Sequence, residues 1–396
     1  MTRVLYVLPE LTAHQTTAAQ VRAAALLPLI AEQTDLMVLT FSGAGDSPVG
    51  VVGLPEERIV RVPRADISAA SLALGTVLAR PRAFRRFDTP AGREALAAAI
   101  RAQQPDIVHF DGFATLGLME VVARVRPQSR IIAHVHDAQS ARMERYTSMG
   151  SLLNRVQKTR EYRKSLQFES RGLGIAALTL VDSDEDRDYL RRQIGSDTVE
   201  TLPLGFNPES FTPDGPKAEL VQPAIVYSGS MKADQSVDAA VFLAHEVMPL
   251  VWRTAPEAQL YIVGGGPTEK VRALEGERIH VTGFVDDLAA YLRASSVYAC
   301  PLRLGSGMRT RVVEALACGT SMVATSMAVR GLGNPADGVA WVQADTAPEF
   351  AQAVLRTLAS TDATMGGRAA VFAYGNYSWS SIASRLVDYY SKVTEQ

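Results

Sequence analysis

The sequence predicts an α/β protein built from two doubly wound parallel sheets that face each other across a cleft. Three observations support this prediction: a length of 396 residues, short apolar runs that alternate with longer helical patterns, and one proline-rich break. A chain of this length exceeds one typical domain and can form two hydrophobic cores. The alternation indicates parallel sheets with helices on both faces. Ligands of such sheets bind beyond the carboxyl ends of the strands, so we expect the functional site in the cleft.

The elements follow from apolar patterning along the chain. In the first half, strands are predicted at 3–8, 35–41, 106–110, 130–135 and 178–183. In the second half, strands are predicted at 224–229, 258–264, 278–283, 297–301, 321–325 and 339–342. Apolar residues at helical spacing predict helices that include 18–33, 236–254, 308–319 and 378–393.

The break at residues 202–223 contains five prolines and several polar turn clusters, as is typical of an interdomain linker. We therefore expect an N-terminal Rossmann-like domain over 1–201 and a C-terminal Rossmann-like domain over 224–377. A last helix, 378–396, is expected to return to the N-terminal domain.

Composition narrows the functional classes. A net charge of −2 argues against a general nucleic-acid-binding protein. The two cysteines, Cys300 and Cys318, lie in apolar runs, so a disulfide framework is not expected. The first residues lack the pattern of a signal peptide, and no uncharged apolar segment approaches 18 residues. A cytoplasmic protein is the expectation.

A Gly-Ser-Gly turn, 305–307, lies between a predicted buried strand and the helix 308–319. Free backbone N–H groups and the helix dipole attract an anion to such a turn. Arg303, Arg309 and Arg311 add positive charge at the same end. This arrangement favours a site for a phosphorylated ligand.

Glu314 lies about two turns into that helix among apolar neighbours. A carboxylate in such surroundings costs stability unless it finds a partner, and a pair of ribose hydroxyls would be one. In the alternative interpretation the turn is only structural, the arginines face solvent, and Glu314 pairs with Arg311 three residues earlier.

The stretch "PLRLGSGMRTRVVEALACGTSMVATSMAVRGL" resembles the donor-site signature of retaining glycosyltransferase family 4, enzymes of the GT-B fold. "VYSGSMKADQSVD", "YIVGGGP", "IHVTGFVDD" and "LPLGFNPESFTP" resemble neighbouring parts of that family, so the likeness covers residues 200–396. In the first half it rests on "PDIVHF", "AHVHDAQS" and "LVDSDEDRDYL".

The resemblance assigns roles to individual residues. Glu314 matches the second glutamate of the family's E-x7-E motif and is expected to bind the nucleotide ribose. Ser306 replaces the first glutamate, a change shared by a Gly-Ser-Gly branch of the family. The full set of expected donor-binding residues is Gly229, Lys232, Gly283, Phe284, Gly305, Ser306, Gly307, Met308, Arg309, Thr310 and Glu314.

Two loops depart from the family pattern. The arginine and lysine that often clamp the diphosphate are replaced by Ser230 and Gln235. We expect Arg303 and Arg311 to supply that charge and to act in catalysis. In the first loop the family's glycine pair is missing, and the loop bears Thr16 and Thr17, followed by Arg22.

The N-terminal half contributes His136, which matches the family's histidine at a strand end and is expected to contact the donor sugar as a catalytic residue. His134 is interpreted as a packed strand residue. The acceptor-side residues are expected to be Thr16, Thr17, Arg22 and Asp137.

The sequence therefore predicts a hexosyltransferase that retains configuration. Its N-terminal domain is on the acceptor side and its C-terminal domain binds a nucleotide-diphosphate sugar, most readily UDP or GDP. No metal or other cofactor is expected, because fixed cations stabilise the departing diphosphate. Expected acceptors are small molecules, glycans or lipid-linked groups. Two basic stretches, 79–87 and 154–171, allow peripheral contact with the inner membrane face.

Two alternatives remain open at this stage. One is a catalytically silent binding subunit, motivated by the missing glutamate and the missing clamp pair. The other is a GT-B sugar-nucleotide epimerase or hydrolase, for which the sequence offers no acid and base near the sugar.

Overall fold

The computed structural model describes residues 1–11, 18–43, 53–65, 80–144, 147, 152–304, 310–333, 340–360 and 364–395. The chain forms two compact units. The N-terminal domain comprises Met1–Pro203 together with Ile382–Gln396, and the C-terminal domain comprises Leu204–Ser381. The chain thus passes from one unit to the other twice.

The N-terminal domain alternates strands with helices. Its strands are β1 (Arg3–Leu8), β2 (Asp35–Ser42), β3 (Ile59–Pro63), β4 (Ile107–Asp111), β5 (Arg130–His136), β6 (Leu178–Val181) and β7 (Val199–Thr201). Its helices are α1 (Ala18–Ala31), α2 (Pro90–Gln103), α3 (Met119–Val125), α4 (Gln139–Glu144), α5 (Leu152–Arg171) and α6 (Asp184–Ile194), with 3₁₀ turns that include Arg82–Arg86 and Phe113–Leu118.

The sheet of this domain is parallel, in the order β3-β2-β1-β4-β5-β6-β7. Its central strands are buried on both faces, because helices cover each side, and this explains their continuous apolar runs. The order reverses between β1 and β4, which pair from Val4↔Ile107 to Val7↔Phe110. The carboxyl ends of β1 and β4 therefore form the switch point where ligands of such sheets bind.

The C-terminal domain repeats this plan. Its strands are β8 (Ala224–Ser228), β9 (Gln259–Val263), β10 (Ile279–Gly283), β11 (Val297–Cys300), β12 (Met322–Ala324) and β13 (Val342–Gln343). Its helices are α7 (Asp234–Phe242), α8 (Met248–Val251), α9 (Glu269–Arg272), α10 (Leu288–Ala294), α11 (Thr310–Ala317), α12 (Ala347–Ala359) and α13 (Thr364–Tyr377), and α14 (Trp379–Glu395) enters the N-terminal domain.

The second sheet is also parallel, in the order β10-β9-β8-β11-β12-β13, with its switch point between β8 and β11. The prediction of two doubly wound parallel α/β domains is thus confirmed. The single helix predicted over 236–254 is divided instead by a π-helical turn at Leu243–Val247. Pro249 follows this turn, and because it has no N–H group it cannot continue a regular α-helical ladder.

The two passages between the domains lie side by side within the C-terminal unit. Phe206 and Ser378 form an isolated parallel bridge. A Cβ at Gly205 would lie 2.5 Å from the Trp379 ring, so this position requires glycine. None of the helices in the described part of the chain is long and apolar enough to cross a bilayer.

Candidate functional site

In the C-terminal domain, glycines allow two loops to meet at the carboxyl edge of the sheet. Gly229 follows β8 and Gly264 follows β9. The φ angle of Gly264 is 145°, in the positive range that favours glycine. A Cβ at Gly264 would lie 1.8 Å from the Gly229 carbonyl oxygen, so no other residue fits there. The loops after β8 and β9 therefore lie in direct backbone contact at the switch point.

Arg311 enters the same place from α11. Its Nη1 donates to the Ser228 carbonyl oxygen at 3.2 Å and to Ser236 Oγ at 3.2 Å. Ser236 is fully buried, so the guanidinium is anchored against the protein interior. A fixed positive charge therefore lies beside the β8 loop, in which Ser230 and Gln235 offer none.

Lys232 lies in this loop and is exposed. Its methylene groups lie over Gly266, where a Cβ would be 2.4 Å from Lys232 Cε. Its ammonium forms no ion pair with any described carboxylate. The side chain is thus held by its stem while its charge stays available at the loop.

Glu314 is half-buried on α11, between Val313 and Ala315, which are buried. Burial raises the pKa of its carboxyl group to about 7, and the nearby Arg311 opposes this rise only in part. The carboxylate accepts no hydrogen bond and forms no ion pair with any residue that the structure describes. The alternative Glu314–Arg311 salt bridge is therefore not formed.

Arg303 has a different partner from the one expected. Its guanidinium forms two hydrogen bonds to Asp238 on α7, at 3.0 and 2.7 Å, and lies over the Phe242 ring. The side chain is 41% exposed. Of the two arginines expected to act in catalysis, only Arg311 lies at the β8 loop.

The other expected donor-binding residues are spread along this edge. Gly283 ends β10 with φ 70°, and the Phe284 that follows it is 78% exposed beside Gly265. Thr310 is the first residue of α11. Gly305, Ser306, Gly307, Met308 and Arg309 lie outside the described residues, as do Thr16 and Thr17 on the acceptor side. Gly319, two residues after α11, has a left-handed conformation with φ 70°.

In the N-terminal domain, His136 ends β5 in the left-handed region, with φ 65°. Its Nε2 lies 2.7 Å from Asp111 Oδ1 and its Nδ1 lies 3.5 Å from Asp182 Oδ1. The side chain is 19% exposed. His136 therefore lies at the carboxyl edge as expected, but neighbouring side chains engage both of its ring nitrogens.

Arg22, expected on the acceptor side, is instead fully buried. Its Nη2 forms an ion pair with Asp182 Oδ1 at 2.7 Å. Its Nη1 lies 2.8 Å from His134 Nε2 and 2.5 Å from His136 Nδ1. No part of Arg22 reaches the surface, so it does not face an acceptor; it contacts His134 and His136 instead.

The network extends further along β4. Tyr6 donates to Asp111 Oδ2 at 2.6 Å and stacks on His109, whose Nδ1 lies 2.9 Å from the Tyr390 hydroxyl. Burial opposes the charged form of Asp111, but His136 outweighs it and lowers the pKa of that carboxyl. We name Arg22, Asp111, His134, His136 and Asp182 the edge network.

Three members of this network, Asp111, His134 and His136, place ligand atoms within 4.8 Å of one another, as a metal site requires. The guanidinium of Arg22, however, lies against both imidazoles. A fixed positive charge in contact with two of three ligands disfavours a divalent cation. These residues fit an ion-pair network better than a metal centre.

Asp137, also expected on the acceptor side, is half-buried next to the network. Burial raises the pKa of its carboxyl, and the nearby Asp182 and Asp186 add to that rise. Sequence reasoning missed Asp111 and Asp182 altogether. The available signal was an aspartate at the carboxyl end of each of two buried strands, in "VHFD" and "TLVD".

The geometry can be compared with known proteins. The model of the family "Glycosyltransferase Family 4" matches residues 29–210, and that of "Glycosyl transferases group 1" matches residues 222–360. Sucrose-phosphate synthase from Thermosynechococcus elongatus has a similar fold, with a TM-score of 0.64 at 18% identity over 99% of each chain.

Two curated relatives are mannosyltransferases. A GDP-mannose-dependent monoacylated alpha-(1-6)-phosphatidylinositol monomannoside mannosyltransferase of Corynebacterium glutamicum is 25% identical over 76% of this chain and 80% of its own length. A phosphatidyl-myo-inositol mannosyltransferase of Mycobacterium leprae is 30% identical, over 53% of this chain and 58% of its own length. With one glycosyltransferase family model matching each domain, the chain is a glycosyltransferase of the GT-B fold that uses a nucleotide-sugar donor.

Proposed function

We propose that this protein transfers a hexose from a GDP-hexose to a lipid-linked, phosphate-bearing acceptor, with retention of configuration. The observation that supports a nucleotide-sugar donor is the environment of Glu314. A half-buried carboxylate that has no described partner, and whose pKa is raised to about 7, is costly in the empty protein. Two ribose hydroxyls would donate hydrogen bonds to it and remove that cost.

The diphosphate would lie at the β8 loop. Gly229 allows close approach of the backbone, and Arg311 provides the fixed positive charge there. Lys232 adds a mobile charge at the rim. Charge develops on the diphosphate as the glycosidic bond breaks, and fixed cations lower the barrier because they need no reorganisation at that moment.

Retention follows from the family resemblance, in which the departing phosphate accepts the acceptor's proton on the same face of the sugar. The contacts of His136 support this route, because they leave it unsuited to act as the base. Both ring nitrogens of His136 are engaged by Asp111 and Arg22, so this histidine is poorly suited to take a proton from the acceptor. The phosphate oxygens held by Arg311 remain as the base.

The choice of GDP rests on the relative from Corynebacterium glutamicum, whose name specifies GDP-mannose. The exposed Phe284, beside Gly265 at the end of β10, offers an apolar face to a base. An aromatic face stacks on any base, so the preference for guanine needs a direct measurement.

The proposal of a lipid-linked, phosphate-bearing acceptor is based on a pocket in the N-terminal domain. This pocket has a volume of about 400 Å³ and is lined in part by Arg82, Arg86, Phe113 and Met143. Neither arginine side chain pairs with a described carboxylate. Two free guanidinium groups beside apolar side chains suit a phosphate attached to a lipid.

The neighbouring helix α5 supports the same conclusion. It carries six basic and two acidic residues over 154–171. A basic surface beside the pocket would attract an anionic lipid bilayer and place the protein at a membrane surface. The relatives act, by their names, on phosphatidylinositol derivatives.

The donor is tested by thermal stabilisation with GDP, UDP, ADP and dTDP, compared between the wild type and Glu314→Gln. A ligand at one hundred times its Kd adds about 2.7 kcal/mol to native stability. We expect GDP to give the largest shift and the variant to lose most of it. Equal, negligible shifts with all four nucleotides would exclude the donor site.

The transfer step is tested with GDP-mannose and vesicles that contain phosphatidylinositol. We expect a mannosylated lipid whose anomeric configuration matches that of the donor. The double variant Arg82→Gln, Arg86→Gln should have a raised acceptor KM but the same thermal stabilisation by GDP as the wild type. Nucleotide binding without turnover of any acceptor would identify a silent subunit. Release of free mannose as the sole product would identify a hydrolase.

A further inference from the structure

The helix α5 presents one of its faces to the pocket of the N-terminal domain. Glu161, Ser165 and Glu169 follow one another along α5 at every fourth position, so their side chains lie on the same side of the helix. Glu161 and Ser165 line the pocket. Glu169 lies one turn further along and is fully buried. It therefore continues the pocket-facing side of α5 but is closed off from a ligand in the pocket.

The first carboxylate on this face holds the part of the pocket that carries the arginines. Glu161 Oε2 accepts from the Arg82 amide at 3.0 Å, and Glu161 Oε1 accepts from Lys164 Nζ at 3.0 Å. Arg82 is the first residue of the 3₁₀ turn that also contains Arg86. Because the first N–H groups of a helical turn have no partner within it, an outside acceptor fixes where the turn begins. Glu161 is such an acceptor.

The second carboxylate on this face holds α4. Glu169 accepts from the Ser140 amide through Oε1 at 3.1 Å and through Oε2 at 3.2 Å. Ser140 is the second residue of α4, which has six residues and brings Gln139 and Met143 to the pocket. A helix of this length is not stable by itself in water, so contacts from outside must hold it in place. The Glu169 carboxylate makes such a contact at the first turn of α4.

The loop before α4 has partners of its own. Asp186 Oδ1 on α6 accepts from the Ala138 amide at 3.1 Å. The His136 carbonyl oxygen accepts from the Asp182 amide at 2.8 Å. Neither bond involves α5, so both remain when the Glu169 carboxylate is removed. We therefore expect such a change to displace α4 while His136 stays at the carboxyl end of β5.

The Glu169 carboxylate is unfavourable at its position. Burial raises its pKa to about 7, although hydrogen bonds from Ser140 and from the Gln139 amide act in the opposite direction. A glutamine would fill nearly the same volume without the cost of a buried charge. Packing alone therefore does not account for a carboxylate here, whereas two oxygens that accept from the start of α4 do.

We propose that Glu169 is a positioning residue for the acceptor, because its carboxylate holds α4 where Gln139 and Met143 complete the pocket. With Glu161 on the same face, α5 then fixes two parts of one pocket. This inference rests on the proposed acceptor pocket and adds to it a residue that the acceptor does not touch. If α4 is held for only a fraction of the time, the apparent affinity for the acceptor falls by that fraction.

The first test is steady-state kinetics of Glu169→Gln with GDP-mannose and vesicles that contain phosphatidylinositol. Glutamine keeps the shape of the side chain, but one of its two terminal groups can only donate and so cannot accept from α4. We expect the acceptor KM to rise about fivefold to tenfold, as for the loss of a bond to a charged group. The value of kcat should stay within about twofold, and the donor KM should not change.

Two results of this experiment would overturn the proposal. One is an acceptor KM in Glu169→Gln equal to that of the wild type. The other is a fall in kcat with the acceptor KM unchanged, which would place the effect of Glu169 on the chemical step. If Glu169→Gln does not fold, Glu169→Asp replaces it, because aspartate keeps the charge but withdraws it from Ser140 by one methylene group. The same rise in acceptor KM is expected.

Glu349→Gln is the matched control. Glu349 also accepts from the backbone at the start of a helix, through the Thr346 amide at 3.2 Å, but its helix is α12 of the C-terminal domain. We expect this variant to keep the wild-type acceptor KM. An equal rise in acceptor KM in Glu349→Gln and Glu169→Gln would show a general loss of stability and would overturn the positioning role.

Hydrogen exchange separates this proposal from the proposed function. The Ser140 amide should exchange about tenfold faster or more in Glu169→Gln than in the wild type at the same pH, while the β5 amides keep their rates. Unchanged exchange at Ser140 would overturn the proposal even where mannose is transferred. If neither protein transfers mannose to any acceptor, the proposed function fails, and the exchange rates alone then decide whether Glu169 holds α4.

Discussion

The Arg311 guanidinium occupies the space that a side chain at Gly229 would fill. A Cβ added at Gly229 would lie 2.1 Å from Arg311 Nη1, a distance that no pair of unbonded atoms tolerates. Glycine at 229 and arginine at 311 are therefore one structural unit, although 82 positions separate them in the numbering. Positive charge reaches the β8 loop from α11, while the loop itself has Ser230 and Gln235.

Gly229→Ala is expected to expel the guanidinium from this place. The added methyl group cannot move, because Gly229 is fixed by its hydrogen bond to Val263 and by contact with Gly264. Arg311 would lose both anchors, and nucleoside diphosphate binding should weaken about tenfold to a hundredfold, as when a charge-assisted bond is lost. Isothermal titration with GDP measures the change.

Gly367→Ala provides the control for this glycine. Gly367 is helical, and no atom lies within 4 Å of a Cβ placed there. Alanine at such a position stabilises a helix by about 0.5 to 1 kcal/mol, so this variant should melt slightly higher and bind GDP like the wild type. If Gly229→Ala and Gly367→Ala bind GDP with equal affinity, Arg311 does not contact the diphosphate.

Arg303 and Arg311 should differ sharply in their effect on turnover. Arg303 is held by Asp238 in an exposed ion pair, and such pairs contribute about 0 to 1 kcal/mol to stability. We expect Arg303→Gln to keep kcat/KM within about threefold, and Arg311→Gln to lower it about a hundredfold or more, as for loss of a donor that stabilises developing charge. Steady-state kinetics with both variants makes the comparison, and a larger loss in Arg303→Gln would restore Arg303 to the catalytic site.

Glu314→Gln is expected to stabilise the empty protein while it weakens nucleotide binding. Burial, opposed by Arg311, raises the pKa of Glu314 from 4.5 to about 7, so the native state holds its proton more tightly than the unfolded chain. This contribution to stability is complete below pH 4.5 and is lost as the pH rises through 7. The glutamine variant should be more stable than the wild type by about 1 to 3 kcal/mol at pH 8, with little difference at pH 5.

Urea unfolding at the two pH values, with and without GDP, measures both effects. The exposed Glu257 supplies the comparison, since Glu257→Gln changes the same chemistry on the surface and should track the wild type throughout. A Glu314→Gln protein that is less stable at pH 8 would mean that the carboxylate has a partner in the empty protein.

The fold was predictable because strand and helix periods report burial directly. The strands that sequence reasoning did not identify, β3 and β7, are short edge strands, and the latter contains only Val199–Thr201. Three residues cannot establish a period. The division of the helix over 236–254 also depends on local hydrogen bonding around Pro249, which apolar spacing does not encode.

The candidate site was predictable only where one segment carries it. Arg311 and Glu314 lie on one helix, and their spacing alone placed them together. Arg22, Asp111 and Asp182 come from three separate strand ends or helices, and only the sheet order brings them to His136. Arg22 was expected on the acceptor side because nothing in the sequence shows that Asp182 lies 2.7 Å away.

The N-terminal domain should lose stability as the pH falls below 6.5, through histidines that are neutral when folded. Burial first, and then neighbouring positive charge, lowers the pKa of His109 to about 3 and that of His134 to about 4. The unfolded chain therefore binds more protons than the native domain between pH 6.5 and 4, so acid favours unfolding. Each histidine contributes a slope of about 1.4 kcal/mol per pH unit near pH 5.

His109→Phe isolates one of these groups. Phenylalanine keeps the stack on Tyr6 and cannot titrate, so the variant should lose less stability on acidification than the wild type. The difference in slope should equal the contribution of one histidine, about 1.4 kcal/mol per pH unit. The difference between the two proteins removes the opposing effect of Glu169, whose pKa burial raises to about 7. Hydrogen-exchange free energies of the β4 and β5 amides, corrected for the intrinsic rate at each pH, give the two slopes. His245→Gln, at an exposed position, should keep the wild-type slope, and a parallel slope in His109→Phe would mean that His109 is already charged in the native domain.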